Sequence, residues 1–389
     1  MKKQLLIVAH HMTIGGVQKT LISASKALDY EKYDVTLYLR KNRTDILDYV
    51  DKRVKVIINK DPHHYYRKPY ALLLQFKIWL SKRLGEKHLE AAFSNELADR
   101  IREDSMKYEH KKYFRNKKYD IAIAYVQGYT SLFVNKYVTA DEKIVFYHTS
   151  TDDQHEVHEL VLPGFDKIVA LHEDQKMLLS KWYPRHADKI SVVENYTDKE
   201  TIIAQSKEKK ISIPKGKTVL CSCGRFASVK GFDLAVESAK ILKDNGVDFI
   251  WYFVGDGPER KRLENMITDY GLENNIIITG MQKNPYPYIA ACDIYIQPSY
   301  EEAVGLTILE AHRLNKPVVS TATVGGQKLI VNNQNGIICE ITHEALAESI
   351  SPLIADKKAY SNIVKNLEST DYSHEFKKYK EQWKTLLEG

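Results

Sequence analysis

Two glutamates, Glu302 and Glu310, stand eight residues apart in the stretch CDIYIQPSYEEAVGLTILEAHRL, between Cys292 and Leu314. An apolar strand leads in, a small-residue loop follows, and a helix carries the second acid. The amides around Gly305, Leu306 and Thr307, where that helix begins, can receive an anion. Acid, anion cradle and acid together suit a ligand with hydroxyls on both sides of a phosphate group. A second element, GRFASVKG from Gly224 to Gly231, places Arg225 and Lys230 at another strand-to-helix turn. A guanidinium fork and an ammonium point charge are the complement of a diphosphate. A third, VGDGPE from Val254 to Glu259, is a tight turn after a strand with Gly255 at its start and Pro258 placed as the first residue of a helix. His148 closes a strand-like run, where a titratable side chain reaches a pocket. It suits acid–base or contact duty as well as a structural role. Gly15-Gly16 opens a helix after the first strand and permits close backbone approach, although a plain tight turn needs the same residues. His155 and His158 form an i,i+3 pair, but no further ligands follow at zinc spacing.

These residues need a scaffold that brings strand ends to one edge. Strand patterns run at Gln4–His10, Asp34–Leu39, Val54–Ile58, Tyr119–Val126, Lys143–Tyr147, Lys167–Leu171 and Ile190–Glu194. They resume at Thr218–Cys223, Phe249–Val254, Ile276–Thr279, Asp293–Gln297, Pro317–Thr321 and Gly336–Cys339. Helical patterns between them, such as Phe232–Leu242 and Glu259–Tyr270, give the alternation of doubly wound parallel sheets. At 389 residues the chain exceeds one ordinary core. The predicted division is a first domain over 1–195, a linker over 196–216 and a second domain over 217–373. The amphipathic helix 374–389 is predicted to return to the first domain.

Hydrophobic and charged fractions of 43% and 28% fit a globular protein. No apolar run approaches the ~20 residues that span a bilayer. Cys221 and Cys223 alternate on one strand, and Cys292 and Cys339 sit in apolar runs, so all four read as buried free thiols of a reducing cytoplasm. The net charge is +6, yet between Lys60 and Lys118 basic residues outnumber acidic ones by seven. Within that stretch Tyr70–Leu84 reads as a basic helix with a tryptophan. Such a helix can lie on an anionic membrane surface, or its lysines can simply be solvated; both readings stay open. No base-stacking or groove-reading motif accompanies the basic residues, so nucleic acid is not expected.

The order GRFASVKG, VGDGPE, EAVGLTILE, with Gly15-Gly16 and His148 upstream and PVVSTATVGGQKLIVNNQNGIICE downstream, resembles the retaining glycosyltransferases of family four, marked by a Glu-x7-Glu signature. The GGVQKTL opening is similar to capsule, exopolysaccharide and teichoic-acid enzymes. The resemblance implies an α/β GT-B fold, two Rossmann-like doubly wound domains facing across a cleft, acceptor-binding first and nucleotide-sugar-binding second. It implies that Arg225 and Lys230 hold the diphosphate, that Glu310 takes the ribose hydroxyls and that Glu302 faces the transferred sugar. His148 would contact that sugar. Gly15, Gly16, Gly224, Gly255, Gly305, Leu306 and Thr307 would bring backbone close to the donor. Ala303 and Val304 depart from the Gly and Phe often found there, which bears on sugar selectivity.

The expected activity is thus metal-independent hexosyl transfer from a nucleotide sugar, with UDP-sugars foremost, and no cofactor beyond that co-substrate. The acceptor would be a glycan, a lipid-linked oligosaccharide or a wall polymer at the inner membrane face, reached by a cytoplasmic protein peripheral on the membrane through the Arg67–Lys87 region. A sugar-nucleotide epimerase and a catalytically idle partner subunit of the same fold are the alternatives.

Overall fold

The computed structural model describes residues 1–60, 68–149 and 155–389. The chain forms two units, Met1–Asn195 with Lys377–Gly389, and Tyr196–Phe376. Each is a parallel sheet covered by helices, because strands buried on both faces need apolar runs and crossover helices to shield them.

In the first unit the strands are β1 (Lys3–Ala9), β2 (Tyr33–Leu39), β3 (Lys55–Ile58), β4 (Lys118–Ala124), β5 (Thr139–Phe146), β6 (Lys167–Ala170) and β7 (Ile190–Val192). Their order is β3-β2-β1-β4-β5-β6-β7, with parallel pairing throughout. Winding therefore reverses between β1 and β4. Helix α1 (Gly16–Ala27) starts at the second glycine of the Gly-Gly turn. The C-terminal residues pack on this unit: Trp383 stacks on Phe146 with centroids 5.3 Å apart, and Leu386 and Leu387 are buried.

Between β3 and β4 stand α2 (Pro69–Arg83) and α3 (Lys87–Glu109). Ala71, Leu74 and Ile78 of α2 meet Phe93, Leu97 and Ile101 of α3, each set spaced three or four residues apart. The expected helix is present, but it has two apolar faces rather than one. Leu72, Leu73, Phe76, Trp79, Leu80 and Leu84 point away from α3 into solvent, with Phe76 and Trp79 57% and 52% exposed. Arg67, at the start of the anticipated basic region, lies outside the described residues.

The second unit runs β8 (Thr218–Cys223), β9 (Phe249–Val254), β10 (Ile276–Gly280), β11 (Ile294–Gln297), β12 (Val318–Thr321) and β13 (Gly336–Cys339). The order β10-β9-β8-β11-β12-β13 is again parallel, with its reversal between β8 and β11. Part of the anticipated linker, residues 196–216, is helical. Residues Lys199–Ser206 form a helix, capped by the Asp198 carboxylate accepting from the Thr201 amide at 3.0 Å. Ile202 of that helix is buried in the core with Tyr286, Tyr288 and Ile289. The segment is charged on its outer side and contributes few apolar residues, so periodicity alone hides it. No helix among the described residues is long and apolar enough to cross a membrane.

Candidate active site

In a doubly wound sheet, ligands bind outside the carboxyl ends of the strands where winding reverses. In the second unit that point lies between β8 and β11, and the loops after these strands carry Arg225, Lys230 and Glu302. Close backbone approach fixes the loops to one another. Gly231, with φ of 61°, lies so near Pro298 that a Cβ would stand 2.0 Å from the Pro298 carbonyl oxygen. The amides of Tyr300 and Glu301 both donate to the Val229 carbonyl, at 2.9 and 3.2 Å. The loop after β9 joins the same rim: Gly224 donates to Val254 and Phe226 to Asp256, each at 3.0 Å. A Cβ on Gly255 would meet the Gly224 carbonyl oxygen at 1.9 Å, and one on Gly257 the Phe226 carbonyl oxygen at 2.4 Å. The glycines are therefore spacing requirements of three interlocked loops.

Within this rim Lys230 Nζ donates to Glu302 Oε2 at 2.8 Å. The pair is partly buried, with side-chain exposures of 30% and 15%. Lys230 therefore sits directly against Glu302. Arg225 is exposed on the same rim and makes no ion pair among the described residues. Gly305, with φ of 72°, caps α11 (Leu306–Arg313), and the amides of Leu306 and Thr307 have no backbone acceptor among the described residues. The Gly325 amide donates to the Glu302 carbonyl at 2.7 Å and ties this loop to the turn after β12.

Glu310 faces inward from α11 with no accessible surface and accepts from the Tyr286 hydroxyl at 3.0 Å. A ribose contact by this carboxylate requires local opening around it. The side chain that ties these loops together is one the motifs do not single out. Gln297, buried at the end of β11, donates to Ser299 Oγ at 2.8 Å and to Glu302 Oε2 at 3.4 Å. Its Oε1 accepts from Thr307 Oγ1 at 2.8 Å and from the Tyr295 hydroxyl at 3.2 Å. The available signal was a glutamine closing an otherwise apolar buried strand, since a buried amide must find partners.

His148 belongs to the first unit, just past β5. Its ring lies among aromatic neighbours, 5.3 Å from Tyr125 and 6.3 Å from Phe146. Burial pushes its pKa down to about 4, against a weaker opposing hydrogen bond to the Tyr125 backbone. The imidazole is neutral at pH 7, and its Nε2 has no partner among the described residues. His158 is also buried, with Nδ1 2.9 Å from the Tyr183 hydroxyl; the His155 side chain lies outside the described residues. Among the described residues no group of three or more His, Cys, Asp or Glu side chains is arranged to hold a metal ion. Cys221 and Cys292 are buried, and burial holds the Cys221 thiol well above its ordinary pKa.

Comparison with solved structures fits this architecture. HepE of Anabaena, crystallised with UDP and glucose, superposes with a TM-score of 0.69 over 99% of each chain at 17% identity. The fold is GT-B. Residues 204–370, nearly all of the second unit, match the family described as Glycosyl transferases group 1. Among curated proteins, the lipopolysaccharide core biosynthesis glycosyltransferase LpsE of Rhizobium meliloti is 32% identical over 175 residues, 45% of this chain and 50% of that protein. An Escherichia coli enzyme named UDP-Gal:alpha-D-GlcNAc-diphosphoundecaprenol alpha-1,3-galactosyltransferase is 26% identical over 208 residues, 51% of this chain and 54% of that protein. The chain thus spans about half the length of these curated relatives.

Proposed function

We propose that this chain is a retaining glycosyltransferase that moves a hexose from a nucleotide sugar, foremost a UDP-sugar, to an envelope glycan. The observation that carries the reading is the Lys230–Glu302 pair in the crevice between β8 and β11. A diphosphate leaves with growing negative charge while the sugar becomes oxocarbenium-like. A fixed ammonium, the Arg225 guanidinium and the amides at the start of α11 form a preorganised complement to that charge. Glu302, held by Lys230 and Gln297, faces the sugar hydroxyls. These groups supply the countercharge without a divalent ion. The retention proposed here is departure and attack on one face, rather than a double displacement through a covalent intermediate.

The relatives support this acceptor class, since their names refer to lipopolysaccharide core and to diphosphoundecaprenol-linked sugars. The exposed apolar face of α2, with Lys77, Lys82 and Arg83 on the same helix, supports a peripheral position on an anionic membrane. A mass-spectrometric screen of UDP-, GDP- and ADP-sugars for hydrolysis, followed by acceptor trials with anomeric analysis of the product, tests the reading. Interconversion of UDP-sugars without acceptor would establish an epimerase instead, and failure to bind any nucleotide sugar would leave a partner subunit.

A further inference from the structure

Glu310 has no accessible surface, although the proposed reading brings it to a ribose. It lies on the face of α11 that turns to the crevice: Thr307, one turn earlier, donates through Oγ1 to Gln297 Oε1 at 2.8 Å. A buried carboxylate needs hydrogen-bond donors, because stripping its charge of water is costly. One donor is the Tyr286 hydroxyl, 3.0 Å from Glu310 Oε1. Tyr286 opens the short helix Tyr286–Ala291, which follows the loop after β10. β10 is the outer strand of its sheet, and its register with β9 shifts between Ile278 and Gly280, just before that loop. A bulge at an edge re-aims the chain that follows it. The Tyr286 amide donates to Asn284 Oδ1 at 3.0 Å, and Asn284 Nδ2 donates to the Gln205 carbonyl at 2.7 Å. The ring itself packs in the core with Ile202, Ile289 and Ile308 and is 6% exposed. Tyr286 thus reaches Glu310 from the rim of the same sheet edge, ring anchored and hydroxyl foremost.

We infer that the Tyr286 hydroxyl stands in the place of a ribose hydroxyl, so that Tyr286 and the nucleotide alternate as hydrogen-bond donors to Glu310. The inference rests on the proposed nucleotide-sugar reading and adds to it a residue that sets nucleotide affinity. Each donor is a neutral hydroxyl bonded to the same carboxylate, so the exchange is nearly balanced. Glu310 is never left buried and unpaired, neither before the nucleotide enters nor after it leaves. The ribose contact replaces one that the free protein already makes, instead of adding one. Tyr286 thereby weakens the hold on the nucleoside diphosphate and eases its departure after transfer. It touches no reacting atom; it acts through Glu310.

The test is equilibrium binding to the full chain, wild type against Tyr286→Phe, which keeps the ring and its packing and removes only the hydroxyl. UDP, GDP and ADP are compared first, and the tightest is carried forward with its 2′,3′-dideoxy analogue. The free variant has lost a donor to Glu310 that a ribose hydroxyl restores. Its affinity for the ribonucleotide should therefore rise by about tenfold, while the dideoxy analogue binds the two proteins alike. In a Glu310→Ala background the same substitution should leave ribonucleotide affinity unchanged. Unchanged or weaker ribonucleotide binding by Tyr286→Phe overturns the inference, because the hydroxyl would then orient Glu310 rather than yield its place. So does an equal gain for the dideoxy analogue, which would put the effect somewhere other than the ribose. Either result leaves the donor reading intact. Binding of no nucleotide by the wild type removes the donor reading and the inference together, so the two failures are told apart.

Discussion

Lys230 Nζ and Glu302 Oε2 lie 2.8 Å apart, so the cation after β8 and the acid after β11 neutralise one another inside the crevice. Their loops share backbone hydrogen bonds through Val229, which leaves little freedom to separate them. On the proposed reading a donor diphosphate competes with Glu302 for the ammonium, and the winner sets where the carboxylate points. This makes the two residues a unit, whose single substitutions will not add.

Replacing Lys230 by Ala should lower the turnover of nucleotide-sugar hydrolysis by about 10²- to 10³-fold. The pair is partly exposed, so its contribution to stability is small and the unfolding midpoint should move little. Glu302→Gln in the Lys230→Ala background should cost less than it does in the wild type, because the ammonium it orients is already gone. Initial rates and thermal melts on the four proteins of the cycle decide the matter. Wild-type turnover in Lys230→Ala would remove the diphosphate role.

Gly231→Ala should be harsher on the fold than its size suggests. The position has φ of 61°, and a Cβ would press on the Pro298 carbonyl oxygen. Strain of this kind costs about 1–3 kcal/mol. The relief available is separation of the two loops, so donor affinity should fall together with the denaturation midpoint. A variant with normal stability and normal donor affinity would show that the loops are not held by this contact.

Two buried histidines predict the acid limb of stability. His148 and His312 are each pushed down to about 4 by burial, from an ordinary value of 6.5. Between those values the unfolded chain binds protons that the folded one refuses. Stability is thus fully supported above about pH 6.5 and declines as the pH falls toward 4. Urea midpoints measured from pH 7 to 4.5 should drop in the wild type and drop less steeply in His148→Gln/His312→Gln. Parallel profiles for the two proteins would contradict the burial argument.

For α2, the wild type should sediment with vesicles containing anionic phospholipid and be released by salt. Phe76→Glu/Trp79→Glu places charge on the outward face without touching the Ala71, Leu74 and Ile78 contacts with α3. Vesicle binding should fall by at least about tenfold while the melting curve stays put. Indifference to lipid charge would return this helix to the solvated reading.

Much of the scaffold was legible because buried parallel strands announce themselves as apolar runs. Phe249–Val254 and Gly336–Cys339 are found where the residues place them. The three site loops were legible through glycines whose reason, close backbone approach, is now a set of distances. What escaped depends on contacts distant in sequence. The helix at Lys199–Ser206 shows too little apolar surface to betray its packing on Tyr286 and Tyr288. Gln297 and Tyr286 gain their importance from partners five to twenty-four residues away. In α2 the two apolar faces overlay one another, and the periodicity of each obscures that of the other.

The second unit begins at Tyr196 and ends at Phe376, and these two rings stack with centroids 5.1 Å apart. Arg313 reinforces the closure: its Nε donates to the Thr197 carbonyl at 3.2 Å and its guanidinium pairs with Glu375. Topologically, then, the first unit is one module interrupted by a complete insert whose two ends meet. Inserts with adjoining ends transplant readily, since neither chain need be stretched to accommodate them. Residues 196–376 should therefore fold as an independent cassette, and on the proposed reading exchange of that cassette between related chains offers a route to changing the donor while the host module is left as it is.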